Sequence, residues 1–557
     1  MPPSDFRIVL GGEAGQGLQT LGALLAQTLV RAGYHLIAVQ SYLSRIRGGH
    51  NEFMIRYGLD PLHADRERCD LLVALDAESV PAQEPFFTAN SPVLSPSSLA
   101  LDHPRRTAIP TDRFGPRLFE NVAMAGVIGT WLGLPLAILR ETLTDLLGKK
   151  AALEENVKVL TAAAQWASET PPPIRGCPPL PPTPSRRLML NGNEALALGA
   201  IAGGLRFAAF YPMTPSTSVA LTLIRHADQA GLVVEQAEDE IAAINMAIGA
   251  SFAGAPSLVA TSGGGFALMV EGVSLAAMTE TPIVIVVAQR PAPATGLPTR
   301  TEQGDLEFVL HAGHGEFPRA ILTPGSPEQC FDLARHAMEL AEQFQGPIFI
   351  LTDQYLADTY RSVDPPPLSP MSLPPRLPPP QIPYRRYAFA PGGLSPRAVP
   401  QPGIAYVVAD SDEHTEDGHI TEDLDIRRRM VEKRLAKGQG LAAAARPPDW
   451  IGPEHSERLL ICWGSTLGPA REAAERLTGN GHPTAVLHFT QVWPLPVETF
   501  RAKLVAAPET VVVEGNATGQ FARLLRRETG LDFPRRINRF DGLPFTPETI
   551  LRALSHE

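Results

Sequence analysis

Short apolar runs alternate along this chain with longer amphipathic or small-residue stretches, the rhythm of strand and helix in turn. Near the start, Phe6 to Leu10 predicts a strand, GGEAGQG (Gly11 to Gly17) a Gly-rich turn, and Leu18 to Ala32 a helix. Asp70 to Leu75 predicts a further buried strand ending near Asp76. The middle of the chain is more regular. Asn193 to Gly204 is an Ala-rich helix, and Phe207 to Phe210 a strand leading into YPMTPSTS. Leu232 to Glu235 is a strand leading into Glu238-Asp239-Glu240, which opens a helix at Ile241. Pro256 to Thr261 is a strand ending in Ser262-Gly263-Gly264-Gly265, and Ile283 to Ala288 a β-branched strand ending at Gln289-Arg290. The pattern returns near the C-terminus: strand Leu459 to Cys462, turn Trp463 to Thr466, helix Gly468 to Leu477, and strand Thr510 to Val513 ending at Glu514-Gly515-Asn516. Such alternation predicts an α/β fold of several doubly wound α/β domains, with parallel sheets covered on both faces.

Two proline-rich stretches interrupt the rhythm, because proline continues neither a helix nor a central strand. They divide the 557 residues into 1–170, a linker at 171–187, 188–362, a Pro-rich and irregular region at 363–455, and 456–557. A chain of this length exceeds one core. Hydrophobic content of 44% and charged content of 19% are those of an ordinary globular protein. A net charge of -11 gives no footprint for nucleic acid. The local run Arg427-Arg428-Arg429 sits among acidic residues and predicts a solvated helix face. No secretory signal and no apolar stretch of membrane-spanning length is visible, so a cytoplasmic protein without membrane contact is expected. The four cysteines (Cys69, Cys177, Cys330, Cys462) form no Cys-x-x-Cys and suggest reduced thiols.

Candidate chemistry gathers at predicted strand ends, where ligands sit in parallel α/β sheets. Thr214 lies between Pro212 and Pro215, which holds its backbone out of the helical region and presents its hydroxyl. The alternative is a helix start, with Ser216 or Thr217 as cap. Glu238, Asp239 and Glu240 stand on equal terms by spacing: one carboxylate serves the site, or all simply favour a helix start. Arg290 ends a buried strand, suited to a bidentate hold on a carboxylate or to an ion pair with one of those acids. GGEAGQG matches neither a dinucleotide nor a Walker loop and reads equally as a tight turn. SRIRGGHN (Ser44 to Asn51) suits a loop approaching a partner or a phosphate. His311 and His314 are spaced for a surface loop, and no metal site is expected.

Taken together, NGNEALALGA, YPMTPSTS, EDEIAAINMAIGA, ATSGGGFALMVEG, AAMTETP, QRPAPATGLPT and EQGDL resemble the alpha subunit of the 2-oxoacid:ferredoxin oxidoreductases. The 2-oxoglutarate type, with the gamma domain fused in front of alpha, is the nearest in pattern. GGEAGQG with SRIRGGHN resembles the gamma domain, which would occupy 1–170. The unit 188–362 would be a thiamine-diphosphate-enzyme pyrimidine-binding-type domain. WGSTLGPAREAAERL with VVVEGNATGQFARLL resembles a transketolase C-terminal-like domain at 456–557.

The resemblance implies CoA-dependent oxidative decarboxylation of a 2-oxoacid, with electrons passed to ferredoxin. It places the diphosphate and Mg²⁺ of thiamine diphosphate, and a 4Fe–4S cluster, in a separate beta subunit. This chain has neither the Gly-Asp-Gly fingerprint nor cluster cysteines. Carried over residue by residue, Glu240 would face the aminopyrimidine nitrogen and share a hydrogen with it, favouring the imino form. Thr214 and Arg290 would orient the oxoacid carboxylate, with Tyr211 and Pro212 against the cofactor. The chain departs from the family pattern at Ser216-Thr217-Ser218, where Ser-Ser-Glu is usual, and at Ser262-Gly263-Gly264-Gly265, where Ser-Gly-Pro-Gly is common. Both departures bear on substrate choice. No cysteine-rich tail is seen, which points away from the indolepyruvate branch. The rivals are the same enzyme acting on pyruvate or branched-chain oxoacids, and a non-catalytic scaffold that binds a beta-like partner.

Overall fold

The first apolar run forms the strand Asp5–Glu13, whose first eight residues are all buried. A strand buried on both faces belongs in the middle of a sheet. It pairs antiparallel with His50–Gly58 and parallel with Leu71–Ala74. The computed structural model describes residues 5–43, 49–148, 152–366, 383–400 and 406–555. Positions 44–48 of the SRIRGGHN motif lie outside the described residues.

The chain divides into two compact units. The first holds residues 1–190 with 358–365 and 546–548. Its eight-stranded mixed sheet runs in the order Arg106–Ile109, Val93–Pro96, Leu71–Ala74, Asp5–Glu13, His50–Gly58, His35–Ser41, Tyr360–Val363, Leu188–Leu190. Helices Leu18–Arg31, Glu120–Trp131 and Leu153–Glu169 supply apolar faces to one continuous core with this sheet. The predicted turn at Gly11 to Gly17 is half strand. Gly11 and Gly12 extend the first strand, and Gly17, left-handed at φ 77°, caps the helix that follows. The proline-rich segment 171–187 falls within this unit; it has no regular element, yet it is packed. Ile174 is buried, and the Tyr34 hydroxyl donates to the Pro178 carbonyl at 3.1 Å.

The second unit contains two sheets. The larger runs Gln491–Trp493, Ala320–Leu322, Pro347–Asp353, Ile283–Gln289, Ser257–Thr261, Phe207–Phe210, Val233–Gln236. Every pair in it is parallel except the first. The smaller runs Asp449–Ile451, Thr484–Phe489, Arg458–Trp463, Glu509–Glu514, Arg536–Asn538, parallel except at Asp449–Ile451. The central strand Ile283–Gln289 is buried at all seven positions, which its IVIVVAQ sequence permits. The fold is thus α/β with doubly wound parallel sheets in this unit, as the periodicity predicts.

The region 363–455, expected to be Pro-rich and irregular, contains the twenty-residue helix Leu424–Ala443. Its buried face is Met430, Lys433, Arg434, Lys437 and Leu441. That face is largely cationic, so hydrophobic periodicity could not reveal it. The partner is Glu280, fully buried, which takes Lys433 Nζ at 2.5 Å and pairs also with Lys437. Arg386, from the described part of the second proline-rich stretch, donates to the Glu280 carbonyl (2.6 Å) and to Gln345 Oε1 (3.0 Å). That segment is therefore a packed strap over 383–400 and not a free linker. Arg427, Arg428 and Arg429 are exposed on the helix, as the sequence suggests.

Candidate active site

The carboxyl ends of four neighbouring parallel strands carry the candidate residues. Phe207–Phe210 runs into Tyr211 to Thr214, Val233–Gln236 into Glu240, Ser257–Thr261 into the triple glycine, and Ile283–Gln289 into Arg290. The strands ending at Phe210 and Gln289 are separated by one other, a span of roughly 10 Å. Arg290 is long enough to cross it, and its Nη1 donates to the Thr214 carbonyl at 2.7 Å. Thr214 and Arg290 are therefore joined, through the threonine backbone, which leaves the hydroxyl out of the contact. Ser216 does not cap the helix Thr217–Ala230 with its side chain; its hydroxyl donates to the Met213 carbonyl at 2.8 Å. Tyr211 and Pro212 are exposed beyond the strand end.

The three adjacent acids separate cleanly. Glu238 is exposed. Asp239 caps the helix Glu240–Phe252, accepting from the Ala242 N–H at 2.7 Å. Glu240 alone is buried, 3% exposed, and its Oε1 has no hydrogen-bond partner among the described residues. A buried carboxyl oxygen left unpaired costs about 1–3 kcal/mol, so a fold does not keep one without a reason. None of the three acids forms an ion pair with Arg290 among the described residues; the charge that reaches Arg290 is Asp305.

The helix Gly263–Met278 opens with three glycines, a weak start by propensity. Close approach explains two of them. A methyl group at Gly265 would overlap Glu240 Oε1 and the Thr261 hydroxyl, and one at Gly263 would overlap Asp305 Oδ2. The helix start thus seats two acids, where the positive end of its dipole favours them. Gly265→Ala is expected to displace the Glu240 carboxyl and to destabilise this unit by about 1–3 kcal/mol, read as a lower melting temperature. An unchanged melting temperature would contradict that packing.

Asp305 was not among the residues singled out from the sequence. Burial pushes its carboxyl up to about 6, against the opposing charge of Arg290. Burial also lowers the Arg290 guanidinium, and Asp305 partly restores it. Only its place in the EQGDL motif hinted at it, because sequence spacing does not reveal which loop folds back over a strand end. His311 and His314 are exposed, the latter within 3.1 Å of the Ser274 hydroxyl. All four cysteines are free. No helix among the described residues is long and apolar enough to cross a membrane.

Residues 198–433 match the family described as pyruvate flavodoxin/ferredoxin oxidoreductase, thiamine diphosphate-binding, and residues 7–166 the pyruvate ferredoxin/flavodoxin oxidoreductase family. The alpha subunit of a 2-oxoacid:ferredoxin oxidoreductase from a Sulfolobus species is 30% identical over 98% of this chain and 96% of its own length. The chain belongs to the 2-oxoacid:ferredoxin oxidoreductase alpha subunits. Within that family, the 2-oxoglutarate oxidoreductase subunit KorA of Mycobacterium tuberculosis is 31% identical over 78% of this chain and 68% of the relative. The solved 2-oxoglutarate:ferredoxin oxidoreductase of Magnetococcus marinus, with 2-oxoglutarate, coenzyme A and succinyl-CoA bound, superposes with a TM-score of 0.91 at 29% identity. That superposition covers 100% of this chain and 99% of that one. The protein is an oxidoreductase subunit with a thiamine-diphosphate-binding domain.

Proposed function

We propose that this chain is a fused gamma–alpha subunit that converts 2-oxoglutarate and CoA to succinyl-CoA and CO₂, with electrons passed to ferredoxin, when paired with a separate beta subunit. The observation that carries the reading is the unpartnered, buried Oε1 of Glu240, seated against a glycine where a cofactor ring nitrogen would complete it. Thiamine diphosphate supplies the carbanion chemistry when bound. Glu240 would meet the aminopyrimidine nitrogen through a hydrogen bond at Oε1, which would favour the basic form of that ring. Arg290, fixed by the Thr214 carbonyl, retains further guanidinium donors for the oxoacid carboxylate, and the Thr214 hydroxyl is assigned to the same carboxylate. Tyr211 and Pro212 are assigned to the surroundings of the cofactor.

The beta subunit is assigned the diphosphate, Mg²⁺ and the 4Fe–4S cluster. A shared site needs a docking face. Exposed apolar residues fit that need: Leu221 and Ile224 on one helix, Ile241 and Met246 on the helix that Glu240 opens, and Leu268 on the triple-glycine helix. CoA as co-substrate, ferredoxin as acceptor and a cytoplasmic location belong to the same reading. The gamma assignment rests on the family match over residues 7–166 and on the extent of the Magnetococcus superposition.

A second reading, turnover of pyruvate or branched-chain oxoacids, draws on the Sulfolobus relative, named for 2-oxoacids at large. Turnover of the co-expressed complex on 2-oxoglutarate, pyruvate and 2-oxoisovalerate, read as CoA-dependent viologen reduction, separates the two. The proposal expects the highest kcat/KM on 2-oxoglutarate; a tenfold preference for another acid would replace it. Arg290→Lys keeps the charge and loses the planar fork, so KM for the oxoacid should rise by about 10- to 100-fold with cofactor content unchanged. An unaltered KM would remove Arg290 from the substrate.

A further inference from the structure

The loop Glu302-Gln303-Gly304-Asp305 is tied at both ends by side-chain amides. Gln303 donates from Nε2 to the Trp463 carbonyl at 2.9 Å and accepts at Oε1 from the Gly515 N–H at 2.8 Å. Its own carbonyl accepts from Asn516 Nδ2 at 3.1 Å. Two residues later the Asp305 N–H donates to Gln289 Oε1 at 2.9 Å, and Gln289 Nε2 donates to the Thr352 carbonyl at 2.9 Å. Gln289 is the residue before Arg290, so one amide fixes both the strand end and the loop that crosses it. The ends of the smaller sheet, at Trp463 and Gly515, thereby set the position of a carboxyl beside the larger one.

Asp305 does not spend its side chain on its own helix. It precedes Leu306–His311 without a side-chain cap bond, and its carboxyl lies against Gly263. The residue is 9% exposed. A buried acid that declines the nearest capping role and leans on a glycine is placed for something else. The charged groups its carboxyl interacts with are the Arg290 guanidinium, of opposite sign, and Glu302 in its own loop.

We propose that Asp305 is a positioning residue for the oxoacid, holding the Arg290 guanidinium in the pose in which it meets the substrate carboxylate. The proposal rests on Arg290 being the oxoacid's anchor. Arg290 is held from one side by a neutral carbonyl, at Thr214. A second, negative group restrains the remaining donors without occupying them, because it acts as a charge across space. The charged groups facing Asp305 are Arg290 at the end of the central strand and Glu302 in its own loop; the Gly263 helix start contributes peptide dipoles. With its carboxyl at about 6, Asp305 is ionised at neutral pH and becomes neutral as pH falls through that value. The ionised form is the one that orients Arg290, so kcat/KM for the oxoacid should decline on the acid side with a midpoint near 6.

The test uses the full chain in complex with its beta-type partner. Asp305→Asn keeps the shape and removes the charge. KM for 2-oxoglutarate should rise by about tenfold near neutral pH, kcat should change little, and the acid limb should vanish. The Kd of the non-reacting analogue N-oxalylglycine, read calorimetrically, should rise by the same factor with thiamine diphosphate content unchanged. Gly263→Ala provides a second variant, which displaces the carboxyl without removing its charge: KM should rise and the acid limb weaken. An unchanged KM, Kd and acid limb in Asp305→Asn overturns the proposal. If that variant does not assemble, an unchanged KM in Gly263→Ala does so. A wild-type complex inert on every 2-oxoacid takes the functional reading and this one down together. An active wild type with an indifferent Asp305→Asn removes this one alone.

Discussion

Glu240→Ala is expected to assemble normally and to lower oxoacid turnover by about three orders of magnitude. The two halves of that expectation have one cause. Glu240 Oε1 is buried and has no hydrogen-bond partner among the described residues, so its removal breaks no bond seen to hold the fold. An unpaired buried oxygen is itself destabilising by about 1–3 kcal/mol, which offsets the small cavity the truncation leaves. The melting temperature of the isolated chain should therefore change little. Turnover should collapse, because no neighbouring acid can substitute. Asp239 is committed to the Ala242 N–H, and Glu238 points to solvent. Steady-state kinetics and thermal melting of the same preparation check both halves. Near-normal turnover would remove Glu240 from the chemistry, and a large loss of stability would give it a structural role instead.

The second large effect is on stability. Glu280→Ala should destabilise the second unit by about 3–5 kcal/mol, because Lys433 and Lys437 would stay buried without their counter-charge. Burial alone would raise the Glu280 carboxyl, but the two lysines and Arg386 hold it down at about 2, against an ordinary 4.5. The unfolded chain therefore takes up the proton first as pH falls. The stabilisation is fully present above about 4.5 and is lost between there and about 2. Denaturant midpoints measured across that window should fall in the wild type and stay flatter in Glu280→Ala. Equal midpoints at neutral pH would mean that the cluster does not hold the helix Leu424–Ala443.

The elements that carry the site were legible because their signal is local. A β-branched run such as Ile283 to Ala288 is hard to place anywhere but in a covered strand, and the residue after it falls at the ligand end of a parallel sheet. The choice among Glu238, Asp239 and Glu240 was not legible from spacing. One residue of helix phase decides which acid caps, which faces water and which is buried, and only packing against Gly265 fixes that phase. The helix Leu424–Ala443 escaped notice for the opposite reason, since the face it buries is written in lysine and arginine. Asp305 was hidden by topology: its loop is tied to the smaller sheet through Gln303 and to the Arg290 strand through Gln289, contacts that sequence spacing does not show.

The central claim is that this chain carries half of a thiamine-diphosphate site. It is tested most directly by purifying the chain and its beta-type partner separately, then measuring 2-oxoglutarate- and CoA-dependent viologen reduction for each alone and for the mixture, with thiamine diphosphate and Mg²⁺ present. The account predicts no turnover from either chain alone and turnover from the mixture that is lost when Glu240 is replaced. A mixed complex replete with cofactor and cluster yet inert on every 2-oxoacid, or turnover by one chain without the other, would contradict it.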